Sequence, residues 1–131
     1  MSLDVAPSLI EQAERGQVDE GEFVATVARS LPYAWSVMSG VAEEMAGGFT
    51  NREGFADHAT PPPSETERGQ LLRALASDAI RGALERHFGV RFAFQNCHRV
   101  AVFPAEGTEA YRRFITAREQ ILNQSPELRD C

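Results

Sequence analysis

The feature that most constrains this chain is a change of apolar period at Gly89. Upstream, Leu72, Leu75, Ala76, Ala79, Ile80, Ala83, Leu84 and Phe88 recur at helical spacing and make one broad apolar face. Downstream, Val90, Phe92 and Phe94 alternate with Arg91, Ala93 and Gln95, the spacing of a strand with one buried face. Ser64 with Glu67 three residues on is a capping box, and Gly89 is a natural stop, so one helix is expected over 64–88. A second branched run, 99–103, ends at Pro104. A three-residue turn through Asn96, Cys97 and His98 would set Phe94 opposite Val100 and Phe92 opposite Val102. That register gathers the apolar side chains on one face, so it is preferred over the two-residue turn.

Helices are also expected near 7–16, where Pro7 and Gly16 mark the ends, and over 19–29, opened by Asp19 and Glu22. Further helices are expected from Pro32 to the Gly47-Gly48 pair, and over 107–122. The expected fold class is α+β: mostly helical, with four to five helices and one C-terminal antiparallel β-hairpin as its only substantial sheet. At 131 residues the chain is expected to be a single domain over 1–131. Residues 47–63 read as a long irregular loop, and 123–131 as a C-terminal coil tail.

Charge is unevenly spread. Residues 1–67 hold twelve acids and three arginines, net −9, whereas 68–131 hold seven acids and ten arginines, net +3. All thirteen basic residues are arginine, a skew that reflects a GC-rich genome. The two halves are expected to pair with each other or across a two-fold axis. No apolar run is long enough to span a membrane, and the first residues lack a basic start and an apolar run, so neither membrane nor signal peptide is expected. Two cysteines are too few for a disulfide framework; free thiols in a reducing cytoplasm are expected.

Few side chains suggest chemistry. Cys97 and His98 pair a thiol with an imidazole, as a nucleophile or half a metal site would, but sequence neighbours point apart. The plainer assignment is a small apolar residue and a turn residue. Asp57 and His58 would be an acid/base pair on a lid, or else a solvated pair. Tyr33 and Trp35 would line a ligand pocket with Arg99, or else anchor the core. Arg68, Arg73, Arg81, Arg86, Arg91 and Arg99 lie on the long helix and hairpin, as in a winged helix that binds DNA. Asp78 and Glu85 on the same face argue instead for ion pairs with the acidic half. No metal spacing is present, and no cofactor is expected.

Several stretches have a family look. They are Ser30-Leu31-Pro32-Tyr33-Ala34-Trp35 and the unbroken run over 68–91, from Arg68-Gly69-Gln70-Leu71-Leu72-Arg73 to Arg86-His87-Phe88-Gly89-Val90-Arg91. The run continues through Gln95-Asn96-Cys97-His98-Arg99-Val100-Ala101-Val102-Phe103, and the end Leu122-Asn123-Gln124-Ser125-Pro126-Glu127-Leu128-Arg129-Asp130-Cys131 fits as well. Together they resemble a family of small uncharacterised proteins of Streptomyces and related actinobacteria. The resemblance implies a high-GC actinobacterial, cytoplasmic protein and carries over no site residue.

The functional expectation is a non-enzymatic interaction or regulatory module. Second is a small enzyme or small-molecule binder of actinobacterial, including secondary, metabolism, with a pocket near Cys97 and His98. Third is a winged-helix-like DNA binder, and nucleic acid is the partner least expected. A homodimer is the expected state, formed by the 99–103 strand pairing with its own copy, with another protein as the alternative partner.

Overall fold

The structure, a computed structural model, describes residues 2–123. The expectations for the tail beyond Asn123 lie outside the described residues. The chain begins with three helices, α1 (Pro7–Glu14), α2 (Glu20–Ser30) and α3 (Pro32–Ala46). A short strand β1 (Ala56–His58) precedes α4 (Glu65–Leu75) and α5 (Asp78–Phe88). Then come β2 (Val90–Gln95), β3 (Arg99–Pro104), α6 (Glu109–Phe114) and α7 (Ala117–Leu122). No described helix is long and apolar enough to cross a membrane.

The α+β class stands, but the expected four to five helices with a lone hairpin do not: the described residues form seven helices and a three-stranded antiparallel sheet. The helix expected over 64–88 is two helices. Ser77 interrupts it, its hydroxyl accepting the Ile80 N–H at 3.2 Å as an N-cap. The carbonyl of Leu75, at the end of α4, is taken by the Arg81 guanidinium at 2.7 Å. The turn between them rotates the apolar stripe. Leu71, Ala74 and Leu75 face inward, while Leu72 and Ala79, expected in the core, are exposed. The last helix breaks in the same way at Thr116, whose side chain caps α7 through Glu119 N–H.

The hairpin has the register that the apolar pattern selects, with Phe94 beside Val100 and Phe92 beside Val102. The third strand lies inside the stretch read as loop. Asn51 accepts the Glu53 and Phe55 amides at 2.9 and 3.3 Å, Gly54 turns at φ 83°, and the chain then enters β1. Ala56, Asp57 and His58 pair with Val102, Ala101 and Val100. Asp57 and His58 are therefore strand residues and not part of a lid.

The sheet order is β1-β3-β2, so β3 is central and already paired on both edges. The 99–103 edge on which the expected dimer would pair is taken by β1 at Val100, Ala101 and Val102. Strand alternation sends Val100 and Val102 into the main core with Leu71, Met38 and Leu84. It sends Ala101 and Phe103 into a second core with Phe55, Ala110 and Phe114. The rings of Phe55 and Phe103 lie 4.5 Å apart, and Phe103 also meets Tyr111 and Phe114 edge-on.

Phe103 has no exposed surface, so Phe103→Ala is expected to destabilise by ~3–5 kcal/mol, through lost transfer energy and the cavity left behind. In urea unfolding the midpoint should drop with little change in slope. Ile115→Ala, at a residue 57% exposed, should cost less than about 0.5 kcal/mol. Equal costs at the two positions would show that the second core is not packed as described.

Candidate functional site

The residues singled out in the sequence fall into three separate places. The first is the hairpin tip. Asn96 and Cys97 both adopt left-handed backbone, at φ 55° and 53°, which closes the three-residue turn. His98 is buried, and its Nδ1 lies 2.6 Å from the Asn96 carbonyl; since a carbonyl only accepts, that nitrogen donates. Cys97 is disulfide-bonded, and none of the described cysteines is free. The expected free thiol is thus overturned at Cys97, and what was expected of Cys131 lies outside the described residues. Composition and compartment, on which that expectation rested, carry no information about where the tip sits in space. A bonded sulfur and a turn-bound imidazole do not make a nucleophile and base.

The second place is the sheet face toward α6. Asp57 on β1 accepts from Arg99 Nε on β3 at 2.8 Å, both side chains being half-buried. Arg99 Nη1 reaches Gln95 Oε1 at 3.2 Å, and Gln95 Nε2 donates to the Phe114 carbonyl at 3.0 Å. The Arg99 guanidinium lies over the Phe114 ring at 5.0 Å. Beside it, Arg113 pairs with Glu53. Arg99, Arg113, Glu53 and Glu119 line a cavity of about 140 Å³ whose charges are mutually compensated. The arrangement ties β1, β3 and α6 together.

The third place is the opposite face of the sheet. His58 and Tyr33 line a cavity of about 220 Å³ together with Ser36, Gly40 and Glu44. His58 Nδ1 is buried without a hydrogen-bond partner. Tyr33 sits in the first turn of α3, whose N-cap, Leu31, offers no side-chain acceptor. Gln70 of α4 supplies one instead: its Oε1 accepts the Tyr33 and Ala34 amides at 2.7 and 3.2 Å. Sequence reasoning missed Gln70, since a polar residue within an apolar helix face gives no sign that it caps another helix. Burial, and after it the nearby Glu67 carboxylate, push the Tyr33 phenol above the usual tyrosine range. Trp35 packs on His87 and Phe88, ring centroids 5.8 and 5.3 Å away, as a core anchor does.

Asp57 and His58 thus point to opposite sides of one strand, and Cys97 and His98 are engaged at the turn. A larger concavity lies elsewhere. Helices α1, α2 and α5 wall an open groove of about 720 Å³, lined by Leu9, Ile10, Ala13, Val18, Phe23, Ala79 and Ala83. Ile10 and Val18 are each 47% exposed. Val5, Glu14, Glu20 and Arg86 complete the lining. Glu20 accepts from Arg86 Nε at 2.7 Å, and that hydrogen bond holds its carboxyl below the usual carboxylate range. A family model described as NucS shadow ORF matches residues 1–131. No curated protein and no solved structure matches the chain.

The surroundings of Tyr33 are open to a direct check. Its phenol, followed by NMR of ring-labelled protein, should ionise above the usual tyrosine range. Glu67→Gln should bring it only part of the way back, because burial is the larger cause and remains. Full return to the ordinary value in Glu67→Gln would show that the ring is not desolvated in the α3–α4 corner.

Proposed function

The chain belongs to the NucS shadow ORF family, its match running over 1–131, and we propose that it is a non-enzymatic interaction or regulatory module of the actinobacterial cytoplasm. One observation carries this reading: the open groove of about 720 Å³ between α1, α2 and α5 is apolar, with Ile10 and Val18 47% exposed on its walls. An apolar concavity is the kind of surface on which ligands and partners pack. The dispersal of Cys97, His98, Asp57 and His58 among separate hydrogen-bonding or packing roles supports the same reading over an enzyme. The arginine-only composition supports the actinobacterial source. Nucleic acid is disfavoured because Arg81, Arg86 and Arg99 are engaged by Asp78, Glu20 and Asp57.

A second reading is a small-molecule binder. It is favoured by the Tyr33–His58 cavity, where an imidazole nitrogen is buried without a partner beside a phenol and a carboxylate. In that case His58 ring signals would move on adding a small polar compound while signals from the α1–α2 groove stayed still.

The module reading is tested by a photo-crosslinking residue at position Val18, expressed in the source cell. A single adduct, identified by mass spectrometry and lost when Ile10→Asn is added, is the expected result. Absence of an adduct, or one unaffected by Ile10→Asn, would refute the groove as the working surface.

A further inference from the structure

We infer that the α1–α2–α5 groove takes a basic amphipathic helix of a different protein, an inference that rests on reading the groove as the docking surface. The partner's backbone comes first. Nine of the eleven lining residues lie on the three helices, whose mid-helix amides and carbonyls are spent within the helices themselves, and only Val5 and Val18 come from the segments between or before them. An extended segment laid there would find no ladder to join and would leave its own backbone groups unpaired against apolar side chains. A helix satisfies those groups internally, so the groove selects a helix over a strand.

Shape and charge narrow the partner further. Small side chains, Ala13, Ala79 and Ala83, share the lining with the bulkier Leu9, Ile10, Val18 and Phe23. Small residues along a groove let a second helix approach closely. The eight residues of α1 span roughly 12 Å, which suits two to three turns of a partner. The charges in the lining are Glu14 and Glu20 against Arg86, net −1, within a stretch, 1–31, that carries net −4. Arg86, the cation in the lining, is already paired with Glu20. A partner with lysines or arginines flanking its apolar stripe therefore meets opposite charge along the rim, chiefly at Glu14. A second copy of this chain brings the same acidic rim and is repelled by it.

The test uses the full chain and three synthetic peptides of about 14 residues, each with leucines at i, i+3, i+4 and i+7. One carries lysine at its other positions and one glutamate. The third is the lysine peptide with a central proline that breaks the helix. Binding is read by calorimetry and by NMR shifts of groove residues. The lysine peptide should bind, with its affinity falling as salt rises. Its affinity should fall about tenfold or more in the Ile10→Asn/Val18→Asn double variant, which keeps the charge and alters only exposed side chains.

Equal binding of the glutamate peptide would overturn the basic partner while leaving the groove as a docking surface. Equal binding of the proline peptide would overturn the helix. If none of the three binds, or the double variant binds as well as the parent, the inference falls together with the reading on which it rests. Sedimentation of the chain alone decides the remaining occupant: a dimer dispersed by the double variant would make a second copy the partner and end the inference.

Discussion

Strand β3 is paired along both edges, to β1 on one side and β2 on the other. Its residues Val100, Ala101, Val102 and Phe103 are all closed to solvent. Alternation along this strand divides the molecule into two cores. Val100 and Val102 serve the helical layer built on α3, α4 and α5, and Ala101 and Phe103 serve the smaller aromatic cluster under α6. A one-residue slip would exchange the two sets and place Phe103 among side chains that fit a valine. The position of each candidate site residue follows from this register. Asp57, opposite Ala101, must share the face of Arg99, and His58, opposite Val100, must share the face toward α3.

The electrostatic division of the sequence is resolved inside the chain. Among the described residues four ion pairs join the acidic half to the arginine-rich half: Glu20 with Arg86, Glu53 with Arg113, Asp57 with Arg99 and, at the boundary itself, Glu65 with Arg68. Pairs this exposed contribute about 0–1 kcal/mol each, so they are a poor source of stability. Their consequence is spatial. They consume cations of the second half that would otherwise offer a surface to phosphate. In the groove lining Arg86 is paired with Glu20, which leaves Glu14 as the carboxylate in excess there. The same pairing ties β1 to the centre of the sheet and the turn before it to the end of α6.

Much of this was legible in the residues. The hairpin register followed from the apolar alternation, and the starts of α2 and α3 from Asp19 and Pro32. What was not legible has physical causes. Ser77 reads as an ordinary helix-surface residue until its hydroxyl is seen to cap Ile80, since a serine within an apolar period carries no mark of a break. Strand β1 is three residues long, too short for any period to register, and its pairing is dictated by a strand more than forty residues away. Tyr33 and His58 were singled out separately, but the cavity they share depends on that pairing. The hairpin tip misled in the other direction. Cys97 and His98 stand out by residue type, yet the left-handed turn directs them to structural roles.

The groove was hidden by a different effect, which concerns the width of an apolar stripe. Helix α5 sends Ile80 and Leu84 into the main core, where both are closed to solvent. Ala79 carries the apolar surface round the helix beyond that core and is exposed toward α1 and α2, whereas Ala83, which also lines the groove, is buried in the core itself. From sequence both read as inner-face residues of one long helix, and only the break at Ser77 separates them. Helix α1 leaves Ala79 uncovered. It is eight residues long, its single buried side chain is Leu9, and Ile10 is left half in solvent. A fuller seal would need larger side chains at Ala13 or Ala79, and alanines stand there. The apolar surface therefore stays open beside the carboxylates of Glu14 and Glu20. That uncovered wall is where this fold departs from simple burial.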